Sequence, residues 1–382
     1  MSSLKNQLPT ISDNAVGNFV IDVKAPSSSW FACNGAVLSQ TTYPNLYSIV
    51  GLLPGQIGGG ITWTARTSGT TSGINALIYG NSVFVYAGGG GVLATSTNAI
   101  TWTARTSGTA SIINDLIYSG SLFLYGGNGG TLATSTNAIT WTARTPNTAT
   151  TINAVNFGNN IYIYAQNAGR ISTSSDAITW TARTSGTSSI INDLIYGNSV
   201  FVYAAGGGGL ATSTDAITWT ARTSGTASNI NALTYGNGLY VYAGNGGVLA
   251  TSTNAITWTA RTSGTASNIN ALVYNSYDNI FIYGGVGGVL SYSTNGTTWT
   301  ALTSGTTTEI RVLMSDDSTP RPLYVRGGIN GTLGTAERYN FNRTTEFALP
   351  TITVPSIANT GTNNQTFTQG ALFNSSLYIK AS

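Results

Sequence analysis

One phrase, Ile-Thr-Trp-Thr-Ala-Arg or a close variant, returns seven times along this chain and constrains the fold more than any other feature. Its tryptophans are Trp63, Trp102, Trp141, Trp180, Trp219, Trp258 and Trp299; the first six stand 39 residues apart and the last step is 41. A fixed period of this length marks one supersecondary unit stacked many times. Residues common to every copy build the unit. Specific chemistry belongs where the copies disagree.

Each copy reads as four short strands. In one copy these are Ile230–Tyr235, Leu239–Ala243, Val248–Thr253 and Ile256–Arg261, all rich in β-branched and aromatic residues. Turn residues separate them: Gly236-Asn237, Gly244–Gly247 and Asn254-Ala255. No segment holds a helical period. Four antiparallel strands in about 40 residues make one propeller blade. First strands begin near Ile74, Ile113, Ile152, Ile191, Ile230, Ile269 and Ile310, which gives seven blades. The last copy has three strands, around 310–314, 323–326 and 332–337, and no Trp phrase after it. The first phrase, Ile61–Arg66, has no blade of its own. Joining the two remainders predicts an all-β, seven-bladed β-propeller over 57–338, closed without a covalent link and free of open sheet edges.

Composition narrows the function classes. Only 7% of the residues are charged, net charge is +3, and no basic run exists, which argues against a nucleic-acid surface. The absence of His removes the commonest metal ligand and the usual general base. A single cysteine, Cys33, excludes an internal disulfide and a Cys-rich zinc site. No cofactor or metal is expected. The N-terminal stretch lacks the apolar core of a secretory signal, and no apolar run approaches membrane-spanning length. The expectation is a chain made in a cytoplasm, without membrane insertion.

The turn phrase Ser-Thr-Asn/Asp-Ala-Ile-Thr-Trp resembles the Asp-box turn of sialidase-like propellers, with one residue fewer between Ser96 and Trp102 and with Asp only at Asp176 and Asp215. This resemblance speaks to architecture. A sialidase needs a clustered Arg triad, a Tyr–Glu pair and an acid Asp. Here the arginines are spread evenly and the acids form no evident pair, so no catalytic residue and no enzyme activity are expected.

The flanks carry a second likeness. Val16-Gly17-Asn18-Phe19, Trp30-Phe31-Ala32-Cys33-Asn34-Gly35 and Tyr43-Pro44-Asn45-Leu46-Tyr47 precede the repeats; Thr344-Thr345-Glu346-Phe347-Ala348-Leu349-Pro350 and Leu377–Ala381 follow them. This order resembles the phage tail-collar family. The resemblance implies a collar-like domain in two parts, 15–56 and 339–382, split by the propeller and preceded by a docking arm over 1–14. It further implies a homotrimeric virion component, a tail fibre or tail-tip protein, whose partners are other tail or baseplate proteins. The Asp-Leu-Arg-Gly-Arg that usually follows Leu-Pro in this family is replaced by Thr351-Ile352-Thr353-Val354, and the metal-binding His residues of short-fibre relatives are missing.

Within the repeats, the seven tryptophans are expected in the core between blades. The repeated Arg66, Arg105, Arg144, Arg183, Arg222 and Arg261 are expected to hydrogen-bond to neighbouring blades. The Ile-Asn asparagines, from Asn75 to Asn270, are expected to satisfy backbone groups near the axis, and Gly88–Gly91 and Gly206–Gly209 to form tight turns. The candidate ligand-binding residues are the departures: Gln166, Asn167 and Arg170 in the third blade, Glu309 and Arg311 in the seventh. Asp115 and Asp193 replace Ala in the second and fourth blades, and Tyr277-Asp278 is a two-residue insertion in the sixth. The expected role is binding of a host-surface polysaccharide by the upper loops, against the alternatives of a polysaccharide depolymerase or a structural spacer.

Overall fold

The computed structural model describes residues 61–317 and 322–336 in full, together with the backbone of Glu337 and of five short flanking strands. The chain divides into two units, Thr62–Glu337 and the combined flanks Met1–Ile61 and Arg338–Ser382.

The first unit is a seven-bladed propeller of four-stranded antiparallel sheets. Blade 1 runs Ile74–Gly80, Val83–Gly88, Leu93–Ser96 and Thr103–Ala104, and blades 2 to 6 repeat this order from Ile113, Ile152, Ile191, Ile230 and Ile269. Blade 7 takes three strands from Ile310–Ser315, Leu323–Gly328 and Leu333–Glu337, and its fourth from Thr62–Arg66. The pairing runs from Leu333 opposite Arg66 to Glu337 opposite Thr62. The innermost strands touch in cyclic order, blade 7 meeting blade 1. The sheet edge is thereby shared between the two ends of the ring, as the unmatched phrase predicted.

The core lies between blades. Val85, Ala87 and Leu93 of blade 1 pack against Ile113, Leu116, Phe123 and Tyr125 of blade 2. The same arrangement recurs at the closing seam, where Val325 and Leu333 of blade 7 meet Ile74, Phe84 and Tyr86 of blade 1. Blades cannot bury these faces alone, so each stabilises its neighbour. The repeated tryptophans range from buried (Trp63, Trp180) to half-buried. Six rest on a tyrosine of their own blade, with ring centroids 4.5 to 5.1 Å apart, as in Tyr164–Trp180 and Tyr203–Trp219. Trp63 instead lies beneath the guanidinium of Arg326, 5.8 Å from its centroid.

The turn between the third and fourth strands has a simple local cause. Asn98 Oδ1 accepts from the backbone N–H of Ile100 at 2.9 Å and of Thr101 at 3.0 Å, and from Ser96 Oγ. That leaves Ala99 in the left-handed region, φ 56°. Asp176 and Asp215 make the same bonds at 2.8 to 2.9 Å, and these hold both carboxyls down to a pKa of about 2. In either form the side chain supplies one acceptor to two N–H groups.

Of the flanking unit, Phe19–Asp22 and Trp30–Ala32 both pair with Ser376–Lys380, and Val37–Ser39 pairs with Glu346–Ala348. Segments from before and after the repeats thus share sheets. The expected docking arm, residues 1–14, and Cys33 lie outside the described residues.

Candidate functional site

Antiparallel topology gives the propeller two ends. At the lower end lie the turns between first and second strands and the Asn/Asp turns. At the upper end lie the turns between second and third strands, such as Gly89–Gly91, and the loops joining one blade to the next. Thr62 and Glu337, where the chain enters and leaves, sit side by side at the lower end. The insertion at Tyr277-Asp278 also falls there, between the first two strands of blade 6. The expected ligand residues fall at the upper end, in two separate places.

The first place is the axis. Each ring asparagine donates Nδ2 to the next blade. Asn75 reaches the Ile113 carbonyl at 3.2 Å, Asn114 reaches Ile152 at 2.8 Å, Asn153 reaches Ile191, Asn192 reaches Ile230 and Asn231 reaches Ile269. At the seventh blade the pattern changes hands. Asn270 donates to Glu309 Oε1 at 2.9 Å, and Arg311, which stands where the sisters have Asn, donates Nη1 to Asn75 Oδ1 at 3.0 Å. Glu309 and Arg311 face each other at 3.4 Å, the one ion pair among the described residues. Both are therefore engaged in completing a belt of hydrogen bonds that runs round all seven blades.

Next to the belt, Asp115 and Asp193 bridge blades. Asp115 accepts from Leu116 N at 2.8 Å and from Val155 N of blade 3 at 2.8 Å; Asp193 accepts from Leu194 N at 2.7 Å and Leu233 N of blade 5 at 2.6 Å. Desolvation pushes Asp115 up to about 7, with a further contribution from the charge of Asp193, and Asp193 up to about 6. The charge of Asp193, two repeats away in sequence, thus acts on Asp115 across blade 3, an influence that sequence spacing did not reveal. All four carboxylate oxygens already accept a backbone N–H.

The second place is the upper end of blade 3. Its connecting loop reads Pro146-Asn147 where the flanking copies read Ser107-Gly108 and Ser185-Gly186. Those glycines lie at φ 84°, a conformation that favours glycine, whereas Asn147 is not in the positive-φ region. The loop accordingly takes its own path. Asn147 Oδ1 accepts from Tyr164 Oη at 2.6 Å and Ser172 Oγ at 3.1 Å, whereas the corresponding Tyr125 and Tyr203 donate to a serine carbonyl. Gln166 is fully buried; its Nε2 donates to the Thr150 carbonyl at 3.3 Å and its Oε1 has no donor. Asn167 accepts from Asn153 of the axial belt at 3.0 Å. Arg170 is exposed and donates Nη1 to Thr148 Oγ1 at 3.2 Å. Blades 3 and 7 are not neighbours, so the two groups of candidate residues form two sites rather than one.

The repeated arginines differ from expectation in direction. Each donates Nε to a threonine of its own blade, not to a neighbouring one: Arg105 to Thr95 at 2.9 Å, Arg144 to Thr134 at 2.8 Å and Arg66 to Thr335 at 2.7 Å. The side chain folds back along the adjacent third strand, which is closer than the next blade.

This repeated-blade geometry agrees with two family-model matches, over residues 114–230 and 194–311, both to the model described as the DUF6242 beta propeller domain. Together they span just over half the chain. The chain belongs to the DUF6242 beta propeller domain family. No curated protein matches the sequence. Solved structures similar to this one include YCF48 bound to D1 peptide (18% identity, 73% of this chain and 97% of that one, TM-score 0.60). The WD40 beta propeller domain of Doa1 is similar at 11% identity, 74% and 100% coverage and TM-score 0.61. YCF48 from Cyanidioschyzon merolae is similar at 17% identity, 72% and 98% coverage and TM-score 0.59. At these identities the likeness is one of fold.

Proposed function

We propose that this protein is a receptor-binding component of a phage tail, a tail fibre or tail-tip protein, whose propeller binds a host-surface glycan through its upper end. The observation that carries the reading is the polarity of the ring. The chain enters and leaves at the lower end, beside the Thr62–Glu337 pair, and the connecting loop in which Pro146-Asn147 replaces the Ser-Gly of the other six copies lies at the upper end. Loops held on a rigid scaffold are where recognition resides. The collar-like motifs of the flanks support attachment to the tail and assembly as a homotrimer, which would raise avidity for a repeating polymer.

The depolymerase alternative gains little from Asp115 and Asp193. A glycosidase needs carboxylates free to flank the scissile bond, and both acids are committed to backbone N–H groups. The test mixes the full chain with envelope polysaccharide from a panel of host cells and measures binding and new sugar ends together. Binding without cleavage is expected. Cleavage would restore the depolymerase, and neither outcome across a broad panel would leave the propeller as a spacer.

A further inference from the structure

We propose that the upper end of blade 3 is the glycan site, and that it selects an anionic sugar, one bearing a carboxylate or a phosphate, through Arg170. This rests on the reading of the propeller as a glycan binder.

Four observations carry it. The departures of blade 3 cluster at its upper end, and each is held there by a hydrogen bond within the blade: Asn147 to Tyr164 and Ser172, Gln166 to the Thr150 carbonyl, Arg170 to Thr148. Random drift in a near-identical repeat would scatter. Arg170 is a cation without a counter-charge among the described residues, since the one ion pair there joins Arg311 and Glu309. Blades 1 and 5 place Val92 and Val248 at its position. A guanidinium with one N–H on a threonine keeps its remaining donors for a planar or tetrahedral oxyanion. Beside it, Gln166 Oε1 is buried without a donor, so the polar network of this blade is one hydrogen bond short. Such a deficit is relieved by an ordered water that a bound hydroxyl can anchor.

The flanking blades complete the surface. Ile112 and Ile190 occupy the same place in blades 2 and 4 that Thr151 occupies in blade 3, and they are 39% and 48% exposed. Both stand immediately before the first strand of their blade. Branched apolar side chains on either side of a cationic, hydroxyl-rich loop suit the C–H face of a pyranose whose acidic group turns toward Arg170.

The experiment uses the full chain and four probes: oligogalacturonate, oligosialic acid, a phosphodiester-linked glycerol teichoic acid, and neutral dextran oligosaccharides. Calorimetry at low salt is expected to show at least tenfold preference for one or more of the anionic probes over dextran, weakening as salt rises. Arg170→Val, the residue of sister blades, is expected to remove that preference, and Arg170→Lys to retain part of it. Gln166→Ala, tolerated as Ala205 in blade 4, is expected to weaken binding less. An unchanged melting curve for each variant separates binding from folding. Equal affinity for dextran and the anionic probes, or full binding by Arg170→Val, would overturn the inference and leave the glycan reading standing. Failure to bind any probe or any host polysaccharide would overturn both. The response to uronate, sialate or phosphodiester identifies the source of the anion.

Discussion

Arg311 Nη1 donates to Asn75 Oδ1 at 3.0 Å across the seam between the last blade and the first. A Cβ added at Gly73 would lie 2.9 Å from the same Nη1, whereas every other blade has a side chain at that position. The two departures therefore form one unit: the arginine reaches back because the glycine leaves room.

It follows that Gly73→Asn, which restores the residue of blades 5 and 6, should displace Arg311 and lower stability. Arg311→Asn restores the axial residue of the other six blades. The double variant should be more stable than the sum of the singles, by about 1 kcal/mol, within the range seen for contacting residues. Chemical denaturation of the four proteins measures the coupling; strict additivity would count against the unit.

The closing strand offers a second prediction. Trp63 is buried against Arg326, whose Nε also donates to the Ser304 carbonyl at 3.1 Å. Trp63→Ala should cost roughly 3–5 kcal/mol, as for other buried tryptophans. Half-buried Trp258 should cost less when truncated, because its loss leaves no buried cation behind. Thermal melts of the two variants test the order.

Stability should fall as pH rises through neutrality. Asp115 and Asp193 have folded pKa values of about 7 and about 6, above the ordinary carboxylate value. The folded state thus binds more protons than the unfolded state between about pH 4 and pH 7. Their favourable contribution is fully present below that window and is lost as pH rises through the folded values. The melting temperature should be higher at pH 5 than at pH 8, and Asp115→Ala with Asp193→Ala should flatten the difference. Alanine fits, since blades 1, 3, 5 and 6 carry it there. A slope of opposite sign would refute the assignment.

Asp and Asn should be interchangeable in the turn, whereas Ala should not. Asp176→Asn keeps the oxygen that Ile178 and Thr179 donate to and should change stability by less than about 0.5 kcal/mol at pH 7, since four sister turns already use Asn. Asp176→Ala removes it and should cost about 1 kcal/mol, like the loss of a helix cap. Melting curves in parallel give the comparison.

Much of the fold could be read from residue order alone. The period gave the blade, the turn residues gave its strands, and the orphan phrase at Ile61–Arg66 gave the closure, because each is a local signal repeated seven times. The direction of the arginines was not legible: spacing along a strand does not say whether a long side chain folds back on its own sheet or crosses to the next. The roles of Glu309 and Arg311 were hidden for a related reason. Their departure from the repeat was visible, but only the register between first and last blades shows that they replace missing members of a belt. The proximity of Asp115 and Asp193 needed the ring itself, which brings residues two repeats apart to one axis. In blade 3 the chemistry of Arg170 was visible, while the burial of Gln166 was not, because its sisters Gly127 and Ala205 are too small to show that the position is closed to solvent.

The shared last blade also has a consequence in time. Arg66 must wait for Thr335, 269 residues later, before its strand has a partner. At cellular synthesis rates of 5–20 residues per second the gap is roughly 15–50 s. Meanwhile copies of the strand's proper acceptor emerge one after another, four of them carrying the same Leu-Ala-Thr-Ser. Each is soon occupied by the Trp phrase that directly follows it, so the early phrase is outcompeted by proximity. A chain made slowly, or stalled between a third strand and its own fourth, gives the waiting strand its chance to close a smaller, wrong circle.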